Sequence, residues 1–151
     1  MLDEEKQKKR EALIAEAKQK YEQAKLDWKN LYESKKDCEF LDEDGYPTDD
    51  ALFLIENWHF SEARAFFAFI ESIWHLRSWG WTECDGGIDE WTQEKLPDTT
   101  KRFHISTAGW SGNESIIKAM QKNQMMWFLN WLQSRRGGHY IFEMKELDDG
   151  W

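Results

Sequence analysis

"KRFHIST", residues 101–107, decides between an all-helical chain and a mixed one. Phe103 and Ile105 alternate there with Arg102, His104 and Ser106. A period of two belongs to a strand with one face against a core. The same rhythm returns in "HYIFEMK", residues 139–145, where Tyr140, Phe142 and Met144 alternate with His139, Ile141, Glu143 and Lys145. Two such strands make an otherwise helix-rich chain α+β.

Working outward, the helical segments carry their own signals. Residues 3–36 contain no Gly or Pro and are rich in Ala, Glu, Lys and Gln, all good helix formers. Ile14, Ala17, Tyr21, Ala24, Trp28 and Leu31 recur at heptad spacing, a seam suited to a second copy or to the body of the protein. "DEDGYPT" (42–48) is a turn, and Thr48 stands where an N-cap would precede a helix running to about Trp58. Ser61 predicts a second N-cap. Phe66, Phe69, Ile70, Ile73 and Trp74 then form one apolar helical stripe, so 48–77 reads as a helical hairpin.

In "WGWTECDGGIDEW" (79–91), Asp85-Gly86-Gly87 predicts the turn of a β-hairpin, and Lys95–Thr100, holding Pro97, reads as loop. Residues 113–134 predict a helix kinked near Asn123, deeply buried over 125–132 and stopped by Gly137-Gly138. The expected fold is α+β. A long N-terminal helix and a helical hairpin lead into a small, mainly antiparallel sheet packed on a buried C-terminal helix. The expected division is 1–36 for the amphipathic helix, 42–147 for the compact domain and 148–151 for a tail.

Charge narrows the partners. The net charge of −9 is divided as +2 over residues 1–36, −13 over 37–100 and +2 over 101–151. Phosphate neutralisation needs a basic surface, so a non-specific grip on DNA is disfavoured. The acidic middle is a solvated surface or a face for a basic partner. Cys38 and Cys84 have no CxxC spacing, and no charged start of this kind resembles a signal peptide. With no run of eighteen apolar residues, no membrane span is expected. A cytoplasmic setting follows as an expectation.

Three motifs could carry chemistry. "GWSGNES" (109–115) contains Ser111-x-x-Glu114 ahead of Ile116–Ile117, the pattern of a capping box. Its glycines could also turn backbone amides toward an anion at the helix start. It has no following Lys, which excludes a phosphate-binding P-loop. "SRRGGHY" (134–140) offers Arg135 and Arg136 as a fork for carboxylate or phosphate, with His139 beside them. His104-Ile105-Ser106 has the H-x-S/T form of two-histidine phosphoesterases, in which each His does acid–base work, but the form occurs once. His104 and His139 are therefore the candidate catalytic residues. Trp110, Ser111, Gly112, Asn113, Arg135, Arg136 and His139 are the candidate ligand-binding set. Trp79, Trp81 and Trp110, beside glycines, are suited to stacking on a ring, whereas Trp127, Phe128 and Trp131 are expected in the core. No spacing indicates a metal site, and no motif calls for a cofactor.

"STAGWSGNESIIKAMQKN" (106–123) and "SRRGGHYIFEM" (134–144), with "WGW" (79–81), resemble a group of small phage and prophage proteins. The likeness spans roughly 48–145 and leaves out the N-terminal helix. It implies a viral or prophage source and no defined activity, so no residue role is carried over. The expectation is a non-enzymatic binding protein, phage-encoded and acting in the host cytoplasm against a defence component. It would capture a small anionic or nucleotide ligand, or dock on a basic host protein. The alternatives are a phosphodiester or nucleotide hydrolase using His104 or His139, and an oligomeric assembly protein joined through residues 14–31.

Overall fold

A computed structural model describes residues 2–145 and shows an α+β fold. The tail expected at 148–151 lies outside the described residues. The chain divides after Lys36 into two compact units.

The first unit is one helix, α1 (Leu2–Lys35), with Asp3, Glu4 and Glu5 in its first turn and Lys35 in its last. That placement of charge complements the helix dipole. Along it, Glu16 pairs with Lys20 at 3.2 Å and Gln23 donates to Asp27 at 2.9 Å, the one-turn contacts that support an exposed helix. Trp28 and Tyr32 stack at 5.7 Å. Ile14, first residue of the expected seam, lies exposed, as do Leu13 and Leu26.

The second unit begins its helices with α2 (Asp49–Asn57), capped as expected by Thr48, whose Oγ1 accepts from the Ala51 amide at 3.3 Å. A 3₁₀ turn (Phe60–Glu62) leads into α3 (Ala63–Ile73). The cap of that turn is His59, whose Nδ1 accepts from the Ser61 amide, and Ser61 itself caps nothing. A short α4 (Arg77–Gly80) precedes β1 (Trp81–Asp89) and β2 (Glu94–Ser106). Then come α5 (Ser111–Lys122), α6 (Gln124–Asn130), β3 (Trp131–Arg135) and β4 (His139–Lys145). The strands form one antiparallel sheet in the order β1-β2-β4-β3.

α3 and α6 pack on one face of this sheet. Phe67 of α3 stacks on Phe103 at 4.4 Å and leans on Phe142 at 5.5 Å, and Trp127 of α6 meets Phe142 edge-on. Phe67 lies outside the predicted stripe, yet it joins α3 to the sheet. Asn123 separates α5 from α6. Its side chain accepts from the Met126 amide while donating to the carbonyls of Ile55 and Trp58. The expected kink is thus a full break pinned to the end of α2.

Three expectations are corrected. The C-terminal helix stops at Asn130, and residues 131–135 pair with β4 instead. Gly137 and Gly138, both at positive φ, belong to the β3–β4 turn and cap no helix. Pairing with β4 across this turn overrides helix propensity. Nor is the stretch 125–132 deeply buried: Phe128 is 79 % exposed, and Met125, Leu129, Trp131 and Leu132 are exposed too. α6 lies at the sheet margin and buries only one side. Third, Asp85-Gly86-Gly87 is a bend inside β1, where the register with β2 shifts, and residues 95–100 lie within β2. The actual hairpin turn is 90–93, between Asp89 and Glu94.

A buried polar face and its cavity

The bend in β1 builds the site. Gly86 and Gly87 sit at φ +66° and +71°, and a side chain on Gly86 would lie 3.0 Å from the Asp98 Cα. Only glycine meets both demands without strain. The register jumps from Asp85↔Lys101 to Gly87↔Leu96, so β2 carries the excess residues of a wide bulge. Bulges bend and twist the strand that holds them. As a result Asp89 and Trp91, at the hairpin tip, meet Arg102 and His104 far along β2.

Arg102 is the hub. Its Nε donates to Glu143 at 2.8 Å, and its Nη1 donates to Asp89 at 3.1 Å and to Thr92 at 3.0 Å. Both terminal nitrogens reach Glu94 at 3.3 Å. A guanidinium fork suits several carboxylates at once. Burial alone would raise the Asp89 carboxyl, but hydrogen bonds from His104, Arg102 and the Trp91 amide overcome it and hold it at about 2. Hydrogen bonds to Arg102 likewise lower the Glu94 carboxyl.

From Asp89 a hydrogen-bond chain runs outward. His104 Nε2 lies 2.9 Å from Asp89 Oδ2, and His104 Nδ1 lies 3.3 Å from His139 Nε2. Ser106 pairs with His139 and His104 with Ile141 across β2 and β4, so the two imidazoles are diagonal neighbours. Trp91 lies nearly parallel to both rings, 4.7 Å from His139 and 5.6 Å from His104. Burial, the His104 ring and Arg135 together lower the His139 pKa and favour its neutral form.

Beside these rings is a cavity of about 170 Å³, lined by Trp79, Gly80, Thr82, Trp91, His104, Ser106 and His139. Trp79 and Trp91 form its exposed rim, at 67 % and 55 % exposure. Gly80 lets α4 close against β2, since a side chain there would lie 2.7 Å from the Ser106 carbonyl oxygen. Trp74 also donates to that oxygen at 3.1 Å. A larger hollow of about 350 Å³ lies by Arg64, Asp85, Asp98 and Lys101. Its Lys101 is already committed to Glu83 and Asp85.

The expected ligand-binding set divides. Asn113 is fully buried and spent on the backbone, accepting from the His75 amide at 3.0 Å and donating to the His75 carbonyl at 3.0 Å. Trp110 lies between Tyr46 and His75, with Gly112 closed under its ring. Ser111 is not an N-cap. The cap position is Trp110 without a side-chain bond, and the Ser111 hydroxyl faces Tyr46 Oη at 3.2 Å. The capping box therefore does not form, and this loop packs helices together. Arg136 is exposed in the β3–β4 turn. Arg135 is also exposed and pairs across the sheet with His139, which lines the cavity. Thr107 joins the two glycine-rich corners, its amide donating to the Gly138 carbonyl at 3.0 Å. They touch there without sharing a ligand site.

No family model, curated protein or solved structure matches the chain. Geometry alone therefore guides function. Sequence reasoning paired neither His104 with His139 nor either with Asp89, Trp91 or Arg102. The H-x-S alternation was the available signal for His104 and Ser106. Asp89 had none, because a bulge across the hairpin brings it in. Cys38 and Cys84 are both free. Among the described residues no group of three or more His, Cys, Asp or Glu could hold a metal ion, and no helix is long and apolar enough to cross a membrane.

Proposed function

We propose that this chain is a binding protein that captures a small ring-bearing ligand of the nucleotide class in the Trp79–Trp91 cavity. One observation carries this: two exposed tryptophans, a histidine pair and Ser106 converge on a single hollow. Flat rings stack on exposed tryptophan, and a few fixed polar groups then set orientation. At about 170 Å³ the cavity encloses one ring. Charged groups of the ligand would extend toward exposed Arg135. In the phage setting implied by the sequence resemblance, such capture would withdraw a host signal. A thermal-shift screen with nucleotides at millimolar concentration tests this, because binding to the native state raises the melting temperature. A rise in the unaltered chain that Trp91→Ala abolishes supports capture. No rise with any nucleotide sinks it.

The hydrogen-bond chain Asp89–His104–His139 favours a second reading, a phosphodiester or nucleotide hydrolase with His139 as acid–base. A carboxylate that orients a histidine and stabilises its charged form is a recurring catalytic device. A hydrolysis panel comparing the unaltered chain with His139→Ala separates the two. Turnover lost in the variant supports the enzyme, and no turnover in the unaltered chain dismisses it.

A further inference from the structure

The chain beneath Trp91 has a direction. Asp89 Oδ2 faces both His104 Nε2 and Arg102 Nη1. A guanidinium only donates, so that oxygen accepts and His104 Nε2 carries a proton. In neutral His104 the other nitrogen, Nδ1, is then a lone pair. With both imidazoles neutral, His139 Nε2 donates to it at 3.3 Å, and Nδ1 of His139 is a lone pair too. That atom has no partner among the described residues, and His139 is half-buried in the cavity lining.

We propose that both rings rest neutral, that His139 Nδ1 is the hydrogen-bond acceptor by which the cavity recognises its ligand, and that the group it takes is a sugar hydroxyl. This deepens the capture reading and rests on it. Two further observations agree. Burial first, and Arg135 as well, disfavour an imidazolium at His139, the form that would meet a phosphate with charge. Behind the histidines, one guanidinium faces three carboxylates, those of Asp89, Glu94 and Glu143, so the local charge repels an anion. The charged and titratable groups around His139 are thus Arg102 and His104 on β2, Asp89 and Glu94 at the hairpin, Glu143 on β4 and Arg135 on β3. Arg102 is taken up by the three carboxylates, which leaves Arg135 to draw a phosphate, and it lies outside the cavity lining. The ligand's phosphate is therefore peripheral and its hydroxyl central.

Calorimetric titration of the full chain with adenosine monophosphate, adenosine, dideoxyadenosine and ribose phosphate tests this. Adenosine should bind within roughly threefold of the monophosphate, since exposed charge pairs contribute little. Dideoxyadenosine should bind at least about tenfold more weakly, because it would cover that acceptor without pairing it. His139→Phe keeps a ring under Trp91 and should bind adenosine and dideoxyadenosine equally. Equal binding of those two by the unaltered chain, or loss of binding on removal of phosphate alone, overturns the proposal while capture stands. Binding of none of the four overturns the ligand class together with the capture reading. Histidine-nitrogen NMR on the unaltered, unliganded chain reads the protonation of the ring directly, whether or not the variant folds. An unprotonated His139 Nδ1 at neutral pH is expected, and a protonated one overturns the acceptor assignment.

Discussion

Adjacent residues on the two faces of β2 are equally buried and differently held. Phe103 on the helical face is 3 % exposed and His104, next along the same strand, is 2 % exposed. The helical face gains by area: Phe67, Phe103, Phe142 and Trp127 need only fill space, and burial of apolar surface has no preferred direction. On the other face nothing is gained until every donor meets an acceptor, because an unpaired buried polar group costs more than a made hydrogen bond returns. One face therefore supplies stability. The other fixes direction, down to which histidine nitrogen holds a proton.

The largest effect should come from the apolar face. Phe67→Ala should cost about 3–5 kcal/mol by loss of packing and an incompletely collapsed cavity, read from urea denaturation. A cost below about 1 kcal/mol would show that α3 is not held to the sheet through this ring. On the polar face, Arg102→Met should cost about 3 kcal/mol, since it strands the Asp89 carboxylate among buried groups. Adding Asp89→Asn should recover part of that loss. Strict additivity of the two changes would mean that the pair is not coupled.

Acid should separate the faces without any mutation. Asp89 falls from an ordinary carboxyl value of 3.8 to about 2 in the fold. A lowered acid stabilises the fold above its unfolded value, and that stability is lost as pH falls through the folded one. The expected loss is about 2 kcal/mol between pH about 4 and about 2. His139, also lowered, adds a loss of the same sign that begins as pH falls through the ordinary histidine range. Urea melts across pH should show this slope in the unaltered chain. They should show it unchanged in Phe67→Ala, only displaced downward.

Gly86→Ala should cost roughly 1–2 kcal/mol, because φ is positive there. It should disturb the His104 and His139 ring signals before those of Phe142. A uniform change across both faces would deny the bend its special role. Ser111→Ala, away from both faces, should stay within about 0.5 kcal/mol, whereas Thr48→Ala should cost about 1 kcal/mol as a true N-cap. Equal losses would restore the capping box that the geometry rejects.

Much of this architecture is legible locally. Alternation at 101–107 and 139–145 announces the two central strands and places His104 and Ser106 on one face, because side-chain direction in a strand follows from the backbone alone. Thr48 and the apolar spacing of α3 are equally local. The site is not. His104 and His139 each stand out singly, but their pairing requires the β2–β4 register. Trp110, Ser111, Gly112 and Asn113 form an inviting loop whose polar atoms are consumed by His75 and Tyr46, partners far away in the chain.

The sequence by itself determined which residues could face inward together, since periods of two and of 3.6 are properties of neighbouring peptides. Only the tertiary structure decided that "WLQSR" is a strand, that Asp85-Gly86-Gly87 bends a strand and does not end it, and that Asp89 reaches Arg102 and His104. Each of those outcomes depends on hydrogen bonds to a partner on another strand, across a turn for "WLQSR" and thirteen to fifteen residues away for Asp89. Burial makes such bonds obligatory, and no local preference can encode where their partners will be.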